Sequence, residues 1–371
     1  MGPANADGVL RFVRPELLAM AGYEPVEPVE VLAARLGVPP ERIVKLDGNE
    51  NLYGPAPAAL RALVEHQGYH IYPDPDQRRL RTALAEYVGV PAEHIVAGAG
   101  SDELIDLLAR VLLGPGDRVI DLVPTFGMYA FTTTVCGGTV VPVPRRPDFS
   151  VDVAAVAAAV DARTKLIFVA SPNNPSGNLL SGQDLERLLA LGVPVVVDEA
   201  YVEFSGGSVV RLVPERDNLV VIRTFSKWAG LAGLRVGYGV MPAPLARLLL
   251  AVKPPYNVNV AAEAAVLASL AERELLAERV RAIVAERERL TALLAEIPFL
   301  RPWPSQANFV LCDVTRGDAR VLRDGLRRRG IFVRYFDRDG LRDKVRISVG
   351  RPEHTDALLA ALREMGDEPR P

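Results

Sequence analysis

Lys227 stands in the run Thr224-Phe225-Ser226-Lys227-Trp228-Ala229-Gly230-Leu231-Ala232-Gly233-Leu234-Arg235, just beyond an apolar stretch. Hydroxyl side chains precede it, and glycines and an arginine come after it. Five lysines occur in 371 residues, and arginine supplies the other 38 of the 43 basic side chains. Chemistry that needs a primary amine therefore has few candidates. A desolvated lysine near other cations gives up its proton readily and can act as an amine nucleophile. Hydroxyls with an arginine nearby suit a phosphate. Lys45, Lys165, Lys253 and Lys344 read more simply as ordinary charged side chains.

Three further segments carry chemistry of other kinds. Gly98-Ala99-Gly100-Ser101-Asp102-Glu103 places small residues and a serine where a helix begins. Backbone N–H groups exposed there favour an anion, phosphate above all, although Ser101 would equally serve as a helix N-cap. The third glycine of a dinucleotide fingerprint is replaced by Glu103, and no Gly-Lys-Ser/Thr comes after it. Ser171-Pro172-Asn173-Asn174-Pro175-Ser176-Gly177 is a rigid loop that holds side-chain amides in place or simply closes on Asx-turns. In Asp198-Glu199-Ala200-Tyr201 an acid ends five apolar residues. Its carboxylate needs a cationic or hydrogen-bonding partner, either the protonated ring nitrogen of a cofactor or an arginine of the chain.

All four segments come directly after runs that read as strands: His94 to Ala97, Lys165 to Ala170, Val193 to Val197, and Leu219 to Arg223. Helical patterns alternate with them, at Gln77 to Val88, Asp102 to Leu113, Val151 to Val160 and Leu185 to Leu191. Another strand is expected at Arg118 to Leu122 and a loop at Val140 to Pro147. Continuous apolar strands between helices predict a mostly parallel sheet covered on both faces. Ligands of such sheets bind beyond the carboxyl ends of the strands. Before this region come an arm and a short helix at Glu30 to Leu36. Beyond residue 250 the pattern changes to one or two long helices over Ala261 to Ile297. Strands are expected near Phe309 to Cys312, Ile331 to Tyr335 and Val345 to Val349, with helices near Ala319 to Arg329 and Thr355 to Met365. The expected organisation is an arm with part of a small domain (1–45), a large α/β domain (46–250) and a smaller α+β domain (251–371).

An amine, an anion cradle, a side-chain amide and a buried acid at neighbouring strand ends match the needs of pyridoxal 5′-phosphate: aldehyde, phosphate, ring oxygen and pyridinium nitrogen respectively. Composition excludes other classes. A net charge of −3 and a pI near 5.9 argue against a nucleic-acid binder. Two cysteines are too few for a disulfide framework, so a cytoplasmic setting is expected. No apolar run approaches the roughly 20 residues of a spanning helix, no segment reads as an export signal, and no metal site is expected.

The set Gly100-Ser101-Asp102-Glu103, Pro124-Thr125-Phe126-Gly127-Met128-Tyr129, Asn173-Asn174-Pro175-Ser176-Gly177, Asp198-Glu199-Ala200-Tyr201 and Ser226-Lys227 through Arg235 resembles the fold-type I aminotransferases. Within them it is most similar to the histidinol-phosphate aminotransferases, with further matches at Leu46 to Asn51, Tyr72-Pro73-Asp74, Ala307-Asn308-Phe309, Gly330 to Arg334 and Arg346 to Gly350. Two positions depart from that subfamily: Phe126 stands where tyrosine is usual, and Leu52 where proline is. The resemblance implies a pyridoxal 5′-phosphate enzyme, with the cofactor held covalently by Lys227. Lys227 would also move the proton at the reacting carbon. Asp198 would pair with the ring nitrogen, while Tyr201 and Asn174 would bond the ring oxygen. Gly100, Ser101, the backbone at Asp102, Thr224, Ser226 and Arg235 would bind the phosphate, and Phe126 would stack on the ring. Tyr72 would reach the phosphate of a partner subunit, which implies a homodimer with shared sites.

For the substrate, the resemblance points to Arg346 as the anion-binding arginine. Arg334 lies twelve residues earlier; if the two strands pair, both would face one site and suit a phosphate dianion. Tyr23, in an arm with Gly22 and Pro25, would close over the substrate. Histidinol phosphate with 2-oxoglutarate in histidine biosynthesis is the expected reaction. Aromatic amino acids, or decarboxylation of threonine phosphate, are alternatives that share these motifs. A regulator that binds the cofactor as a sensor would need a DNA-binding module ahead of residue 50.

Overall fold

The computed structural model describes residues 8–20, 22, 23 and 25–367. The outer limits expected for the arm and the last domain, residues 1 and 371, lie outside the described residues. Among the described residues, twelve strands build two sheets: β1 (Val44–Leu46), β2 (Ile95–Gly98), β3 (Arg118–Val123), β4 (Thr139–Pro144), β5 (Thr164–Ala170), β6 (Val195–Asp198), β7 (Leu219–Thr224), β8 (Gly237–Val240), β9 (Leu300–Pro302), β10 (Phe309–Val314), β11 (Ile331–Tyr335) and β12 (Lys344–Ser348). The larger sheet has the order β2-β8-β7-β6-β5-β3-β4. Neighbours from β7 through β4 pair in parallel, and β8 runs antiparallel to both β7 and β2.

The central strands read as unbroken apolar runs because both of their faces are buried. Ile167, Val169, Val195, Val197, Leu219 and Val221 point into one core. Leu166, Phe168, Ala170, Val196, Val220 and Ile222 point into the other. The period-2 alternation of a strand sorts them. It also sets Asp198, two residues after Val196, on the face that carries Phe168.

The smaller sheet has the order β1-β11-β12-β10-β9. Its first strand comes from the N-terminal part of the chain and pairs in parallel with β11; the other pairs are antiparallel. The expected long helical stretch is two helices, Val260–Ala271 and Arg273–Ala295.

One expectation fails. Residues 140–147 read as a loop because of Pro142 and Pro144, yet Thr139–Pro144 is β4, paired in parallel with β3. It is the edge strand, where a proline without an N–H leaves no ladder partner wanting. The helices Pro57–Glu65, Met128–Val135 and Ala243–Val252 had no counterpart in the sequence pattern. Among the described residues no helix is long and apolar enough to cross a membrane.

Candidate active site

The ends of β2, β5, β6 and β7 surround a cavity of about 250 Å³ whose lining includes Ser101, Phe126, Asn174, Asp198, Tyr201 and Lys227. Asp102, Thr224, Ser226 and Arg235 line it too. Toward the small sheet it adjoins a wider cavity of about 480 Å³, lined by Tyr23, Asn174, Lys227, Arg334 and Arg346 among others. The strand-end candidates are thus brought together, with the two arginines and Tyr23 at the mouth.

At one end the chain is built for an anion. Gly100 has φ +86 and precedes a helix that starts at Ser101, with no side chain capping it. Ser101 is therefore the first helical residue rather than the cap, and the first N–H groups remain available to a ligand. A Cβ on Gly100 would lie 2.5 Å from Nη2 of Arg235, so a side chain there would push that guanidinium aside. Arg235 donates to Asp102 Oδ2 at 2.9 Å. Buried Thr224 donates to Ser226 Oγ at 2.9 Å, which holds both hydroxyls at the strand end.

At the other end Asp198 is 5% exposed. Its partner is neither an arginine nor another cation. Oδ2 accepts from the Tyr129 hydroxyl at 2.6 Å, and Oδ1 from the Ala200 N–H at 3.0 Å. Burial pushes its pKa up to about 6, against the pull of these two donors. A buried carboxylate without a cation is what a protonated ring nitrogen needs opposite it.

Between the two ends, burial first and the Arg346 charge second bring Lys227 down to a pKa of about 8. Its Nζ donates to the Gly48 carbonyl at 3.3 Å. A substantial neutral fraction near neutral pH makes it a competent nucleophile. The Tyr201 hydroxyl oxygen accepts from Asn49 Nδ2 at 3.0 Å, which leaves its own proton to donate. Burial raises the Tyr201 pKa to about 12, so that proton stays in place. Asn174 Oδ1 accepts from Arg346 Nη1 at 2.6 Å, which turns its NH₂ group to serve as a donor.

Arg346 is held further by the Asp47 carbonyl at 2.6 Å and lies over the rings of Phe309 and Phe336. Its Nε is buried with no hydrogen-bond partner. Arg334 is its register partner across β11 and β12. Tyr23 meets Phe126 edge-on at 6.2 Å. Tyr72 is not part of this constellation. It is 77% exposed and stacks on Tyr256, with ring centroids 4.4 Å apart.

Two residues of the site carried no signal strong enough to single them out. Tyr129 looked like one more aromatic in a motif, and only the fold brings it under Asp198. Asn49 adopts φ +52, a conformation asparagine tolerates. Its N–H donates to Ser348 Oγ and its amide to Tyr201, tying β12 to the phenol. Among the described residues no cluster of histidine, cysteine, aspartate and glutamate is suited to a metal ion.

Comparison with known proteins agrees with this geometry. A family model for aminotransferase class I and II matches residues 41–363. A histidinol-phosphate aminotransferase of Roseiflexus castenholzii is 54% identical, covering 98% of this chain and 100% of that one. A chloroplastic histidinol-phosphate aminotransferase of Arabidopsis thaliana is 50% identical over 95% of this chain and 85% of its own. The crystal structure of the Sinorhizobium meliloti histidinol-phosphate aminotransferase in complex with pyridoxal-5′-phosphate superposes with a TM-score of 0.85 at 29% identity, covering 95% of this chain and 97% of that one. With its two sheets, its strand-end lysine and acid, and these relatives, the chain belongs to the aminotransferase class I and II family.

Proposed function

We propose that the protein transfers the amino group of histidinol phosphate to 2-oxoglutarate, with pyridoxal 5′-phosphate as cofactor, in histidine biosynthesis. The observation that carries this reading is the single path from the anion cradle at Ser101 and Arg235, past Lys227, to the arginine pair at the mouth. The relatives at 54% and 50% identity, both histidinol-phosphate aminotransferases, support the substrate.

The residues present fit the cofactor. Ser101, Asp102, Thr224, Ser226 and Arg235 take the phosphate, with Gly100 giving Arg235 its room. Asp198 would pair with the ring nitrogen, Phe126 would cover one face, and Tyr201 and Asn174 would donate to the ring oxygen. Pyridoxal 5′-phosphate, when bound, supplies an aldehyde for amines and a ring that takes up an electron pair. Lys227 is the amine that would hold the aldehyde carbon in the absence of substrate. Once free, its amine would take the proton from the substrate carbon that bears nitrogen and deliver it to the former aldehyde carbon. Arg334 and Arg346, which line the same cavity as Lys227, would hold the substrate's phosphate and so orient the reacting carbon. Tyr23 closes the mouth and excludes water.

The active unit is a homodimer in which Tyr72 completes the phosphate site of the other subunit. The working setting is cytoplasmic, in keeping with the free thiols of Cys136 and Cys312. Residues 46–250 form the cofactor domain, and 251–371 with the arm (1–45) form the smaller one. The test is a panel of single half-reactions followed by absorbance, with histidinol phosphate, phenylalanine, tyrosine, glutamate and threonine phosphate. Histidinol phosphate and glutamate should convert the cofactor fastest. Faster conversion by phenylalanine or tyrosine would replace this reading with an aromatic aminotransferase.

A further inference from the structure

Tyr129 lies on the first turn of the Met128–Val135 helix and is fully buried. Its ring stacks on Phe168 with centroids 4.7 Å apart and planes 1° from parallel. Phe126 meets it edge-on at 5.7 Å. In this packing the hydroxyl donates to Asp198 Oδ2 at 2.6 Å. The Ala200 N–H holds the other carboxylate oxygen. The acid is thus clamped at both oxygens, and one short helix with the turn before it delivers both the ring at the cofactor face and the donor behind the acid.

We propose that Tyr129 is a positioning residue for the reaction: its hydroxyl keeps Asp198 ionised and oriented, so that the shared proton stays on the cofactor's ring nitrogen. The proposal rests on the assignment of Asp198 to that nitrogen. A carboxylate buried this deeply is driven toward its neutral form. Each donated hydrogen bond favours the ionised form, and of the two donors Tyr129 gives the shorter. Without it the acid becomes more basic and competes with the ring nitrogen for the proton. The ring is then neutral more of the time and a poorer electron sink. Burial and the Asp198 charge push the Tyr129 pKa well above the usual phenol range, so the hydroxyl remains a donor.

The test compares wild type, Tyr129→Phe, Phe168→Leu and Asp198→Asn, each loaded with ¹⁵N-pyridoxal 5′-phosphate, by the ¹⁵N shift of the ring nitrogen without substrate. Tyr129→Phe keeps the ring and its stacking and removes only the hydroxyl. It should move the shift toward that of neutral pyridine. It should also lower kcat on the order of tenfold, with KM for the amino donor little changed. Phe168→Leu loosens the stacking but keeps the hydroxyl, and should move the shift clearly less than Tyr129→Phe does. An unchanged shift in Tyr129→Phe alongside a moved shift in Asp198→Asn overturns the role of Tyr129 alone. An unchanged shift in Asp198→Asn overturns the assignment of the acid itself. Equal displacement in Tyr129→Phe and Phe168→Leu makes the role of Tyr129 one of packing, and likewise overturns the proposal. If Tyr129→Phe does not yield folded holoenzyme, Tyr129→Met takes its place. Its flexible side chain fills space but offers Asp198 no donor, so the shift should move the same way, and a wild-type shift overturns the proposal.

Discussion

Arg334 and Arg346 are direct partners across the antiparallel pair of β11 and β12, so their side chains leave the same face of the small sheet. Like charges so placed repel each other. Burial first, and the charge of Arg334 with it, lowers the pKa of Arg346. An anion with two charges between them relieves that repulsion better than one with a single charge.

Arg334→Ala should therefore lower kcat/KM for histidinol phosphate by about 10- to 100-fold, the worth of a charge-assisted hydrogen bond at a partly buried site. The loss for phenylalanine should be clearly smaller. Steady-state kinetics with both donors decide the matter. Equal losses would mean that Arg334 supports the fold or the general anion site rather than the phosphate.

The pKa of Lys227 near 8 makes a prediction for the cofactor-free protein. Only the neutral amine attacks an aldehyde, so the rate of pyridoxal 5′-phosphate capture should rise about tenfold per pH unit below 8 and level off above it. Arg346→Gln removes a cation that depresses this pKa, and should move the plateau to higher pH. Stopped-flow absorbance reads both profiles. Borohydride reduction and then peptide mapping should find the pyridoxyl group on Lys227; label on any other lysine would overturn its role.

Most of this site was legible because parallel strands announce themselves as apolar runs, and the residues directly after each run are forced to the same edge of the sheet. Lys227, Asp198, Ser101 and Asn174 were found by that rule alone. Tyr129 was not, since Met128–Val135 is rich in β-branched and aromatic residues and is a weak helix by its own propensity. Its place is decided by packing against Phe168. β8 hid for a similar reason, as Gly237-Tyr238-Gly239-Val240 has little strand propensity until it is enclosed between β2 and β7. The pairing of Arg334 with Arg346 needed the register of two strands, which no spacing of residues supplies.

Gly100→Ala should weaken cofactor binding without altering the reacting groups. The new methyl group meets Nη2 of Arg235 at 2.5 Å, and φ +86 disfavours any side chain. Displacing Arg235 costs a charge-assisted bond to the phosphate, so the dissociation constant should rise by roughly tenfold or more. Fluorescence titration of the cofactor-free variant measures it. A wild-type constant here and in Arg235→Ala would show that Arg235 is not a phosphate ligand.

The proposed homodimer can be tested through Tyr72. Tyr69, Ile71 and Tyr72 are each more than half exposed, an apolar cluster of the kind that a second subunit covers. Sedimentation at assay concentration should give a dimer. If Tyr72 serves the partner's phosphate site, Tyr72→Ala should bind cofactor weakly at both sites, and Lys227→Ala should be inactive at both. A mixed dimer of the two variants holds one site with its own Lys227 and an intact Tyr72 from across the interface. Mixing the variants under exchange conditions should therefore restore tight cofactor binding and activity to about half of the sites in mixed dimers. If no activity returns although mixed dimers form, Tyr72 does not act across the interface.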